Sequence, residues 1–100
     1  MKLKLTHAEL MALYNLLQAM NEKWVCDDME DKLLHVLLTG IFIKLHKTVI
    51  IRKEKYGIKL TEAEAMAFYI CFQRHSLGFS DYTGNLVNQI NNSIHQKFAV

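Results

Sequence analysis

Five histidines, two cysteines and a tight run of carboxylates are the side chains of this sequence with chemistry to offer. His7, His35, His46, His75 and His95 share no helical face at i, i+4 spacing with one another. No H-E-x-x-H or E-x-x-H pattern occurs, so a zinc site and a di-iron carboxylate site both lack their ligand spacing. Cys71 sits between Ile70 and Phe72 on a stretch expected to be buried, where apolar surroundings raise a thiol pKa and leave it inert. Cys26 lies beside Trp24 and two aspartates, whose negative charge opposes thiolate formation. Asp27, Asp28, Glu30 and Asp31 fall where a helix begins, and capping accounts for them. There is no glycine-rich phosphate loop and no G-x-S-x-G elbow. The expectation is a protein with no catalytic, cofactor-binding or metal-ligating residues.

The elements that would position these groups are written in a repeat. KLTHAELMALYNLLQ from Lys4 to Gln18 returns as KLTEAEAMAFYICFQ from Lys59 to Gln73, and across Lys4 to Met20 nine of 17 positions are identical at an offset of 55. Thr6 with Glu9, and Thr61 with Glu64, are T-x-x-E capping boxes, so a helix should start after each threonine. Leu10, Leu13, Leu17 and Met20 then recur at helical spacing, as do Ala65, Phe68, Phe72 and His75. At an offset of 53, Leu33, Leu34, Leu37, Ile41, Lys44 and Leu45 fall on Leu86, Val87, Ile90, Ile94, Lys97 and Phe98. None of the five histidines has a copy at its repeat-related position.

The spacing predicts a mainly α chain, a four-helix bundle of two tandem hairpins, folded as one domain over residues 1–100 with repeats 1–55 and 56–100. The first helix should cover about 7–21, the second 28 to about 53 with Asp27 as its cap, the third 62–76 and the fourth about 81–98. Gly78 is the expected C-terminal residue beyond the third helix. Residues 2–5 and 56–60 alternate with period two and can pair as an antiparallel two-stranded ribbon if an approximate twofold relates the hairpins.

The second helix is the unusual one. Leu34, Leu37, Leu38, Ile41 and Leu45 make one apolar face, after which Ile43, Val49 and Ile50 fall on another. The expectation is a buried face that switches near Thr39 and Gly40, through a bend or through burial of the second half against something else, a partner subunit being one candidate.

Composition excludes several classes. The chain has 100 residues, 51% hydrophobic and 22% charged, with no proline and four glycines, which is the profile of one globular helical domain. The most apolar run, Leu33 to Ile43, is shorter than the roughly 18 to 20 residues a membrane span needs. A secretory leader is not expected in a first segment bearing Lys2, Lys4, His7 and Glu9, so a reduced cytoplasmic setting is anticipated.

Net charge is only +2, but residues 32–59 hold seven basic side chains and one acidic. The functional expectation is a small non-enzymatic interaction or adaptor module whose partner is a protein or a second copy of itself. Its contacts are drawn from the duplicated Tyr14, Gln18, Tyr69 and Gln73 and from Ile43, Val49 and Ile50. The alternative is a nucleic-acid-associated regulator using the basic segment 44–59 through Lys44, Lys47, Arg52, Lys53 and Lys55. A third class is a bundle that takes a small apolar ligand into its core. Met11 and Met66 are expected as core filler.

Overall fold

The computed structural model describes residues 1–23, 28–51, 53–74 and 81–98. In chain order these form β1 (Lys2–Thr6), α1 (His7–Lys23), α2 (Met29–Val49), β2 (Lys55–Lys59), α3 (Glu62–Arg74) and α4 (Asp81–Phe98). The chain is thus mainly helical, with one small antiparallel sheet.

Both T-x-x-E boxes close as the sequence requires. The Glu9 and Thr6 backbone N–H groups donate to Thr6 Oγ1 at 3.2 Å and Glu9 Oε1 at 2.9 Å, and those of Glu64 and Thr61 donate to Thr61 Oγ1 at 3.1 Å and Glu64 Oε1 at 2.9 Å. Each reciprocal pair satisfies two helix-start donors that would otherwise lack partners. The cap of α2 is Asp28, which accepts from the Asp31 N–H at 2.8 Å. Asp27, the cap expected from sequence, lies outside the described residues, as do Trp24, Cys26, Arg52, His75, Gly78 and Ser80.

The ribbon pairs Lys2 with Lys59, Leu3 with Ile58, Lys4 with Gly57, Leu5 with Tyr56 and Thr6 with Lys55. One of these pairs, Leu3 and Ile58, is separated by 55 positions, the offset of the sequence repeat. Met1 and Leu60 exchange both backbone hydrogen bonds, at 2.8 and 3.1 Å. Antiparallel alternation then makes Lys2–Lys59 and Lys4–Gly57 non-hydrogen-bonded pairs, with their backbone groups directed to the outer edges. Both strands alternate exposed and buried residues, so Leu3, Leu5, Tyr56 and Ile58 enter the core while the lysines stay in solvent.

The core joins those four residues to Leu10, Leu13 and Leu17 of α1, Leu38, Ile41 and Leu45 of α2, Phe68 and Cys71 of α3, and Leu86, Ile90 and Ile94 of α4. Each helix packs on two others: α1 on α2 and α4, and α3 on α2 and α4. Met66, expected inside, is exposed, because Ala65, Phe68 and Cys71 set the buried stripe of α3 and residue 66 falls off it.

α2 ends at Val49, short of the expected residue 53. The β-branched run Thr48 to Ile51 weakens the helix there, and a nonlocal contact fixes the exit. The Tyr56 hydroxyl donates to Ile51 O at 2.7 Å and accepts from Lys53 N at 3.0 Å, tying the helix end to β2. With the hydroxyl hydrogen used on Ile51, His7 Nδ1, 3.2 Å from the same oxygen, must be the donor of that pair.

Candidate interaction site

α2 presents two apolar faces at once. Leu34, Leu38, Ile41 and Leu45 are buried along its whole length, so the buried face does not switch at Gly40 as the sequence had indicated, and the helix runs unbroken through that point. Thr39 Oγ1 donates back to His35 O at 2.8 Å, which satisfies the hydroxyl within the helix. On the opposite side Met29, Leu33, Val36, Ile43 and Ile50 are 80%, 60%, 58%, 48% and 73% exposed. Their spacing of four, three, seven and seven follows a heptad register, interrupted at Gly40 and Lys47. Of the expected interaction residues on this helix, Ile43 and Ile50 lie on that seam, whereas Val49 packs against the core.

The duplicated tyrosines are used between helices. Tyr14 stacks on Phe42 with ring centres 5.0 Å apart, and its hydroxyl lies 3.0 Å from His46 Nδ1. Tyr69 stacks on His95 at 6.0 Å. Phe42 and His95 differ by 53 positions, the second offset in the sequence. Gln18 and Gln73 stand exposed. Beside Tyr69 an open apolar depression of about 150 Å³ is lined by Met66, Ile70, Ile94 and Phe98.

The expected basic set is dispersed. Lys44 donates to Lys59 O at 3.0 Å and pairs with Glu64, which is only 6% exposed. Burial alone would raise the Glu64 pKa, but the Lys44 ammonium and the Thr61 N–H together hold it below the ordinary value. Lys44 is therefore engaged inside the fold. Lys47 is on the outer seam of α2, and Lys53 and Lys55 are exposed at the start of β2. The structure instead gathers Lys2, Lys4, Lys55 and Lys59 on the solvent face of the ribbon. Reading the middle segment by itself could not find Lys2 and Lys4, because their neighbours come from across the sheet.

No protein-family model matches this sequence, and no curated protein or solved structure matches it either.

Cys71 is fully buried, and desolvation, followed by the charge of Asp31, pushes its thiol up to about 12. A thiol so placed carries little thiolate near neutral pH. His35 Nε2 lies 2.6 Å from Asn21 Oδ1, which seats it at the polar rim of the α1–α2 seam. Between those helices a cleft of about 10 Å³, lined by Leu17, Met20, Leu38 and Phe42, is about the size of one water. Among the described residues no helix is long and apolar enough to cross a membrane.

Proposed function

We propose that this chain is a non-enzymatic cytoplasmic interaction module of two copied helical hairpins, a four-helix bundle with an approximate dyad through the Leu3–Ile58 pair, which associates with a second copy of itself along the outer face of α2. The carrying observation is the heptad seam of Met29, Leu33, Val36, Ile43 and Ile50, on a helix whose opposite face already fills the core. A surface helix with one buried stripe has no intrachain use for a second. A seam of this kind, about 30 Å long, is what a pairing helix reads.

The chemistry selects an antiparallel mate. In a parallel pair Lys47 would face its own copy across the seam, a like-charge contact in an apolar setting. Turned end for end about a point between Thr39 and Gly40, Val36 meets the partner's Ile43, and Met29 meets the partner's Ile50. The acidic first turn with Glu30 and Asp31 then lies beside the partner's basic last turn with His46 and Lys47.

Light scattering during size exclusion tests this reading. The wild-type chain should elute at twice its monomer mass, and Ile43→Glu should elute as a folded monomer. Ile70→Glu, an equally exposed position on α3, should leave the dimer intact. A wild-type monomer at the highest concentration reached, or a dimer that survives Ile43→Glu, would overturn it.

A further inference from the structure

A second surface carries a binding assignment that is independent of the α2 seam. Lys2 and Lys4 on β1, and Lys55 and Lys59 on β2, all project from the solvent face of the ribbon. Lys2 stands directly opposite Lys59 in a non-hydrogen-bonded pair, the geometry that brings cross-strand side chains closest. Like charges there are mutually destabilising. None of the four forms an ion pair among the described residues. The carboxylates that could relieve them are used elsewhere: Glu9 accepts from Thr6 N–H, and Glu64 holds Lys44 and Thr61 N–H. Glu54 and Glu62 are exposed next to the ends of β2, outside the strand register. The Lys2 side chain lies across Gly57, where a Cβ would collide with it, so the absent side chain gives one of the ammonium groups its resting place.

We propose that this lysine-faced ribbon is a docking surface for the phosphate backbone of double-stranded DNA. A two-stranded antiparallel ribbon has the width that the major groove of B-form DNA admits, and its lysines would reach phosphates along the groove walls. The major groove of duplex RNA is too narrow and deep to accept it. No aromatic ring shares the face with the lysines, so the stacking platform of a single-strand binder is missing from it. The remaining residues of the face are Thr6 and Gly57, and the apolar side chains of both strands point into the core, so nothing on this face can wedge into a bilayer. With lysine alone and no arginine, asparagine or glutamine on the ribbon, the contact reads charge and shape and ignores base sequence.

Fluorescence anisotropy with a labelled random-sequence DNA duplex, titrated over a salt series, tests the assignment. Four phosphate contacts give a log–log salt slope of about −3.6, hence a loss of roughly 150-fold between 50 and 200 mM salt. Each single Lys→Gln change at positions 2, 4, 55 or 59 should flatten the slope by about 0.9, and Lys97→Gln on α4 should not change it. The four lysines are exposed, and circular dichroism of each variant verifies its fold. Acetylation footprinting of the unaltered protein gives the same reading without substitutions, with bound duplex protecting these four amines. The Ile43→Glu variant should retain the slope per protomer, which separates this surface from the α2 seam. No binding at low salt, a slope indifferent to the ribbon substitutions, or retention by phosphatidylserine vesicles with no binding to duplex would each overturn it.

Discussion

Lys44 and Glu64 form an ion pair that joins the middle of α2 to the first turn of α3, and the same ammonium holds the outward carbonyl of Lys59 on β2. Three elements therefore meet at one nitrogen. Gly40, one turn before Lys44, has no Cβ because one would stand 3.0 Å from Glu64 Oε2.

Replacing Lys44 by Met should strand a buried carboxylate. A fully buried pair broken on one side costs roughly 3 to 5 kcal/mol, and since Lys44 is partly exposed the expected loss is about 2 kcal/mol. The pH dependence should also weaken for this group. Glu64 titrates below its ordinary 4.5 in the folded chain, so its contribution is complete above that value and is lost as the pH falls through the lower folded pKa. In Lys44→Met only the Thr61 hydrogen bonds still oppose the effect of burial, so acidification removes less stability through Glu64. Urea midpoints near neutrality and at about pH 3 check this: the gap between the two proteins should close in acid.

Tyr56→Phe should loosen the exit from α2. The ring stays in the core, but Lys53 N–H and Ile51 O both lose the hydroxyl, for an expected cost of about 1 kcal/mol. Hydrogen exchange at the Lys53 amide should accelerate more than exchange in the centre of α3. Uniform acceleration across both segments would mean that the hydroxyl has no local role.

Asn91→Leu should stabilise the protein. Asn91 is buried on α4 with its Oδ1 lacking a partner, and the repeat-related residue on α2 is the core residue Leu38. Removing a buried unsatisfied acceptor while keeping the same branched side-chain shape should gain about 1 kcal/mol, a rise of roughly 4 to 8 °C in melting temperature. A lower melting temperature would show that the amide has work in the core.

What could be read from the sequence was local. The two capping boxes, the α1 stripe and the alternation in KLKL and YGIK each need only a few neighbouring residues, and each appears where its pattern stood. The start of α2 was harder because acids at positions 27, 28, 30 and 31 compete for the cap, and Asp28 takes it. Its end depends on Tyr56, a residue beyond the helix.

The candidate surfaces followed the same division. The outer seam of α2 was present in the spacing of Met29, Leu33, Val36, Ile43 and Ile50, but Lys44 and Lys47 read as an interruption of one stripe instead of the margin of a second. Lys44 turns to α3, which no helical wheel of α2 alone reveals. Equally, Lys97 is the repeat counterpart of Lys44 yet is exposed, and on that side an open groove of about 320 Å³ separates α4 from β1, lined by Leu3, Glu9, Leu86 and Ile90.

The ribbon also dictates an order of events during synthesis. β1 leaves a ribosome before its mate β2, which follows only after the whole of α1 and α2. Until residues 55–59 emerge, Leu3 and Leu5 have no strand to lie against and α1 has no α4, so a nascent first half remains an open, sticky hairpin. Severing the chain between α2 and β2 should yield two fragments that fold when mixed and stay unfolded apart.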